Sequence, residues 1–269
     1  MNTSAVRIRW MNDACYEIRL PNGKAVLIDP YIDESKYAQL TYDDVDQADY
    51  VLISHTHFDH VVGLSAILSR FEPQIYVGSV SGMELAHQYD IPGYLMNLCS
   101  AGDEIVTEDF ILRCFRGRHT KIGPIDKPSN WEENVRHEGL DPNTVALNML
   151  GSYEYMIYEL ELPSKLRILV WGGAATEDAI AQAAHYDPDI TIAQLPRETP
   201  EQIGRLYAAI GGRVIFPHHH DFFVAQGEAG MKIISDTVET AARLAPDTVI
   251  CCPKKGVWYS VQTGIDPVE

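Results

Sequence analysis

Residues 55–60 read His55-Thr56-His57-Phe58-Asp59-His60, directly after the apolar run Tyr50-Val51-Leu52-Ile53. Three imidazoles and one carboxylate within six positions are more metal-ligating capacity than packing or a turn requires. Imidazole and carboxylate are donors that zinc, iron and manganese accept, and histidine is the commonest metal ligand among side chains. Residues i and i+2 of an extended backbone face the same way, so His55 and His57 can reach one ion together. A turn past the strand end swings Asp59 and His60 towards a second position. One short loop can then serve two neighbouring ions, as in hydrolytic sites whose metals lie about 3.5–4 Å apart and activate a bridging water.

Three other apolar runs end suggestively. Ile111–Phe115 leads into Arg116-Gly117-Arg118-His119, Ile168–Trp171 into Gly172-Gly173, and Val214–Phe216 into Pro217-His218-His219-His220-Asp221. Strand ends in layered α/β proteins are where sites assemble, because loops converge there while the sheet fixes their bases. Any of His218, His219 and His220 could ligate. Asp221 reads equally as an acceptor that orients a ligand imidazole or as a helix N-cap. His87, His137 and His185 lack ligand spacing and read as surface residues. Arg116, Arg118 and Lys121 around His119 form a basic cluster that suits a carboxylate or phosphate on a substrate, or else balances nearby Glu residues on the surface. Lys254-Lys255 could join it. Trp131, Tyr153 and Tyr155 could wall an apolar cleft or belong to the core.

The elements that must position these groups are legible from alternation and turn signals. Strands are expected at 6–10, 14–20, 25–28, 50–54, 74–77, 104–106, 110–115, 153–162, 167–171, 190–195, 213–216, 248–252 and 257–261. Helices are expected at 61–70, 82–89, 176–185, 200–210 and 229–244. Residues 120–150, with Gly123-Pro124, Lys127-Pro128 and Asp141-Pro142, read as an irregular functional lid. Strands in each half with helices among them suggest two sheets packed face to face with helices outside, a single doubly wound parallel sheet being the alternative.

The chain has 269 residues, read as a single domain over 1–269, and a formal net charge of −17. A surface that negative disfavours nucleic acid as a partner, but not a small anionic substrate in a local basic pocket. Five cysteines without Cys-x-x-Cys spacing argue for a reducing compartment. With no signal-peptide core and no membrane span in the sequence, the expectation is a cytoplasmic protein acting on a small molecule, with a homo-oligomer allowed. No Gly-x-Ser-x-Gly and no dinucleotide fingerprint occurs.

The loop His55–His60, followed by His119 and by Pro217-x-His219-x-Asp221-x-Phe223, resembles the metallo-β-lactamase superfamily over most of the chain, Asp29-Pro30 matching that family's Asp-Pro element. The ending resembles the branch that holds ascorbate-6-phosphate lactonase and the N-acylphosphatidylethanolamine phospholipases. The resemblance implies a four-layer αββα sandwich. It implies a hydrolase of a small ester, lactone, amide or phosphodiester that uses one or two zinc ions, with manganese or iron as substitutes. His55, His57 and His119 would hold the first ion, and Asp59, His60 and His219 the second. A metal-bound hydroxide would be the nucleophile, with Asp59 and His60 as its catalytic neighbours.

One position departs from that pattern. The family carries a Gly-Asp pair whose carboxylate bridges the metals, and here Gly173 stands where the Asp is expected. Glu177 and Asp178 fall on the following helix and do not replace it. Without the bridge, two divalent ions lose a shared negative charge, so the second position is expected to be weaker, empty or filled differently. A Gly173→Asp variant should then gain an ion. The competing readings are an iron-dependent redox protein on the same fold and a non-catalytic protein stapled by metal.

Overall fold

The computed structural model describes residues 5–119, 144–195 and 198–262. Among them, fourteen strands form two sheets of seven. They are β1 (Val6–Asn12), β2 (Cys15–Arg19), β3 (Ala25–Ile28), β4 (Tyr50–Leu52), β5 (Gln74–Gly78), β6 (Met96–Cys99), β7 (Glu104–Val106), β8 (Ile111–Arg116), β9 (Met156–Glu161), β10 (Arg167–Trp171), β11 (Ile190–Gln194), β12 (Val214–His218), β13 (Val249–Ile250) and β14 (Trp258–Val261). The first sheet runs β14-β1-β2-β3-β4-β5-β6 and the second β13-β12-β11-β10-β9-β8-β7. Each is antiparallel in one half and parallel in the other: β14 to β3 pair antiparallel and β3 to β6 parallel. Likewise β7 to β10 are antiparallel and β10 to β13 parallel. This mixed pairing in two sheets excludes the single doubly wound sheet.

The central strands are apolar on both faces because both faces are covered. In β3, Val26 and Ile28 enter the core between the sheets, while Leu27 packs outward. In β10, Ile168 and Val170 point inward and Leu169 and Trp171 outward. The outward residues of the first sheet meet helices α1 (Phe58–Val61), α2 (Leu64–Leu68), α3 (Gly82–Gln88) and α4 (Thr144–Tyr153) through Val61, Leu64, Ile67, Leu85 and Leu147. Those of the second sheet meet α5 (Glu177–Ala183), α6 (Pro200–Ile210), α7 (Asp221–Val224) and α8 (Glu228–Leu244) through Ala179, Ile203, Leu206, Phe223 and Ile234. The layers are therefore helix, sheet, sheet, helix.

Several expectations shift. The helix read over 61–70 begins at Phe58 and divides in two, so Asp59 and His60 sit on the first turn of α1. The edge strand β6 has only Met96-Asn97-Leu98-Cys99, without alternation, and escaped the sequence reading. Residues 144–150, placed in the irregular lid, belong to the helix α4, which runs on to Tyr153, and the strand expected from 153 starts at Met156. Residues 120–143, including Lys121, Trp131 and His137, lie outside the described residues.

Candidate metal centre

Three strand ends and the start of one helix converge on the centre. His55 and His57 follow β4, and Asp59 and His60 open α1. His119 follows β8, and His219 follows β12. The ligand-capable atoms of His55, His57 and His119 lie within 4.8 Å of one another, as do those of Asp59, His60 and His219.

In the first cluster, the Ser54 hydroxyl donates to Asp29 (2.6 Å), which leaves its oxygen to accept from His55 Nδ1 at 3.1 Å. His55 Nε2 is thereby free to ligate and lies 2.9 Å from His57 Nδ1. His57 Nε2 sits 3.0 Å from the Ser152 hydroxyl, itself donating to Asn148 O (3.1 Å), so Nδ1 is the ligand-capable atom of His57. The His119 ring lies 4.9 Å from His55 and 4.4 Å from His57 between centroids. Burial, and then the neighbouring imidazoles, hold His55 and His57 well below the ordinary histidine range, so both are neutral with lone pairs available. Helix α4 braces this loop. Asn148 accepts from the Phe58 N–H (2.8 Å), the Thr56 hydroxyl donates to Leu147 O (2.8 Å), and a Cβ at Gly151 would stand 2.9 Å from the main chain of both Thr56 and His57.

The second cluster is built with carboxylates. His60 Nδ1 lies 2.8 Å from Asp29, which also accepts the Ser54 N–H at 2.7 Å. His219 Nδ1 pairs with Asp13, and its main-chain N–H donates to Asp13 O at 3.1 Å. The two Nε2 atoms then face each other at 3.2 Å. Asp13, Asp29 and His219 all adopt left-handed backbone, with φ of +45°, +44° and +58°. Such conformations cost about 1 kcal/mol or more each and persist where the surroundings impose them. Burial alone would lower His219, but the Asp13 charge and hydrogen bond outweigh it and raise the imidazole to about 9. With its Nδ1 turned to Asp13, a protonated His219 can donate from Nε2 to His60. Burial, with the charge of Asp13, raises the Asp59 carboxyl.

Behind Asp13 stands a buried cation. Lys255 Nζ is 3.0 Å from Asp221 and donates to Asn12 and to Tyr37 O, while Asp221 accepts the Asp13 N–H at 3.0 Å. Asp13, not Asp221, orients the imidazole, and Asp221 follows His220, the N-cap of α7. The flanking histidines serve packing: His218 Nε2 donates to Trp171 O at 3.2 Å, and His220 stacks on Trp10 at 4.1 Å.

The donor sets, three imidazoles in one cluster and two imidazoles with a carboxylate in the other, fit borderline divalent metals, and each ring with an identified ligand atom is held by its other nitrogen. A profile described as the metallo-beta-lactamase superfamily matches residues 8–141, spanning the His55–His60 loop and His119. The chain carries a metallo-beta-lactamase superfamily domain. Its sequence is similar to a UPF0173 metal-dependent hydrolase of Solibacter usitatus, 31% identical over 33% of this chain and 36% of that protein. The chain thus spans about a third of that relative's length. Its fold is similar to Igni18, a metallo hydrolase from Ignicoccus hospitalis (TM-score 0.68, 13% identity, 97% of this chain and 100% of that one). It is also similar to an isothiocyanate hydrolase from Delia radicum gut bacteria (TM-score 0.64, 14% identity, 95% and 99%).

Beside the first cluster of this metallo-beta-lactamase domain lies a cavity of about 670 Å³, lined among others by Arg116, Arg118, His119, Tyr155, Trp171 and Asp178. Arg116 and Arg118 are exposed, and Arg118 lies 3.8 Å from Asp178 on the same lining, which tempers its charge. Tyr155 is buried and stacks on His55 at 4.5 Å, whereas Tyr153 is exposed. His87 and His185 are exposed, as expected. Lys121 lies outside the described residues. Sequence reasoning missed Asp13, Ser54, Asn148, Ser152 and Gln194. Asn12-Asp13 between two strands is a turn signal and could have flagged the left-handed Asp13; Ser152 and Gln194 carry no comparable signal.

Proposed function

We propose that residues 1–269 work as one metal-dependent hydrolase domain on a small ester, lactone, amide or phosphodiester that carries an anionic group. The observation that carries this reading is the adjacency of two ligand clusters to the cavity bearing Arg116 and Arg118. His55, His57 and His119 would hold one ion and Asp59, His60 and His219 another, zinc suiting the histidine-rich set best and manganese or iron being the substitutes. When bound, such ions lower the pKa of water towards neutrality and polarise the oxygen of the electrophile. Asp59 is partly exposed where His60 is buried, and its raised carboxyl is suited to orient the attacking water and take its proton. Asp13 and Asp29 keep the two imidazoles of that cluster aimed. Arg116 and Arg118 bind the anionic group, while Tyr155 and Trp171 supply an apolar wall. Five free thiols suit a reducing, cytoplasmic setting. No helix among the described residues is long and apolar enough to cross a membrane.

The test is a screen of nitrophenyl esters, lactones and phosphodiesters with zinc or manganese supplied. Turnover of at least one, abolished by a chelator and restored by the metal, is expected. Activity that survives complete metal removal contradicts the reading. No turnover at all favours a non-catalytic binder, and a visible iron spectrum favours redox chemistry. On an anionic substrate, Arg116→Ala or Arg118→Ala should raise KM about tenfold, the value of one charged hydrogen bond.

A further inference from the structure

The main chain after β10 crosses closely over the segment that delivers His119. The Ala174 N–H donates to Arg118 O at 3.0 Å, and the Gly173 N–H donates to the buried side chain of Gln194 at 2.5 Å. Gly173 has φ of +103°, and a Cβ there would stand 2.1 Å from Arg118 O and 3.1 Å from its carbonyl carbon. Those are backbone atoms, with no flexible end to swing aside, and Arg118 immediately precedes His119. The neighbouring glycines are crowded too, though by the Tyr155 side chain. A Cβ at Gly172 would lie 1.4 Å from the Tyr155 hydroxyl, and one at Gly117 2.8 Å from the Tyr155 ring. Tyr155 in turn stacks on His55 and accepts the Gly117 N–H at 2.7 Å.

We propose that Gly173 is a positioning residue for His119: the absence of a side chain lets the Arg118 carbonyl dock on the 173–174 main chain, which brings the His119 imidazole to His55 and His57. Gln194 is the clamp that holds Gly173 in place. The inference rests on the reading that the first cluster holds an ion. It reverses the expectation from sequence alone. A carboxylate installed at 173 does not add a ligand, because its Cβ displaces Arg118 and, with it, His119.

The experiment counts zinc per chain by elemental analysis of equilibrated protein. Gly173→Ala and Gly173→Asp should each lose one ion relative to the unsubstituted chain. In a His219→Ala background, which leaves only the first cluster intact, Gly173→Ala should bind none. In a His57→Ala background it should keep one. Gln194→Met keeps a similar side-chain length while removing the oxygen that accepts from Gly173, and so is the milder variant that guards against misfolding. It should weaken zinc at the first cluster about tenfold, as loss of an outer support does, and leave the second unchanged. Full zinc content in Gly173→Ala, tighter zinc in Gly173→Asp, or unchanged first-cluster affinity in Gln194→Met overturns the proposal. An unsubstituted chain without the first ion removes the metal reading as well, whereas two ions that survive in Gly173→Ala remove this proposal alone.

Discussion

The two clusters share a donor type but are supported in opposite ways. In the first, His55 and His57 are backed by hydroxyls, Ser54 and Ser152, and burial keeps them neutral. In the second, His60 and His219 are backed by carboxylates, Asp29 and Asp13, and His219 is raised to about 9. Two left-handed aspartates and the buried Lys255–Asp221 pair surround the second cluster, whereas among the described residues the first meets a carboxylate only through Ser54, which relays Asp29 to His55. The difference bears on the missing bridge at Gly173. A carboxylate behind an imidazole raises its basicity as a ligand, so Asp13 and Asp29 add negative charge behind the second cluster, beside that of Asp59 itself. The first has less need of such charge, because burial already holds His55 and His57 neutral.

The largest effect should come from His57→Ala. It deletes a proposed ligand of the first cluster and should reduce turnover about a thousandfold, the scale of several kcal/mol of lost metal stabilisation, with zinc content falling by one. Next, Asp13→Asn keeps the shape but removes the charge behind His219. Zinc titration should show the second ion weakened about 10- to 100-fold and the first unchanged. Equal weakening of both would erase the distinction between the clusters.

The pH dependence sharpens it further. Metal at the second cluster must displace the proton of His219, so its affinity should rise about tenfold per pH unit below a pH near 9 and then level off. First-cluster affinity should be flat near neutrality, since His55 and His57 are already neutral there. The sign for the metal-free fold is opposite. A folded pKa raised above the unfolded value near 6.5 contributes stability that is full below about 6.5 and lost as pH climbs through about 9. Denaturation midpoints across that window check it. The smallest effect should be Ser152→Ala, which removes a neutral hydroxyl from His57 and should weaken the first ion only about fivefold, one neutral hydrogen bond's worth.

Much of the centre was legible because its candidate ligands sit where apolar strands stop. His55 and His57 could be paired from the end of β4 alone, since a buried strand leaves a clear pattern and histidines at its end break it, whereas His119 joined them through the family resemblance. The αββα layering followed from the same runs. What supports the ligands was not legible. Asp13 and Lys255 are 242 positions apart in the chain and meet only through the β1–β2 turn and the segment before β14. Helix α4 lies behind a proline-rich stretch and contains Gly151, whose use is to let Thr56 and His57 approach, a property of the tertiary contact and not of local propensity. Gly173 reads as a lost ligand until the Arg118 carbonyl is seen to occupy the space beside it.

The central claim is that two clusters with different supports each hold an ion without a carboxylate at position 173. Elemental analysis of zinc-equilibrated protein, with His57→Ala and His60→Ala alongside, tests it most directly. The account predicts two ions per unsubstituted chain and one in each variant, with only the ion that remains in His57→Ala showing the pH-dependent affinity. One ion or none in the unsubstituted chain, or two retained in either variant, would contradict it.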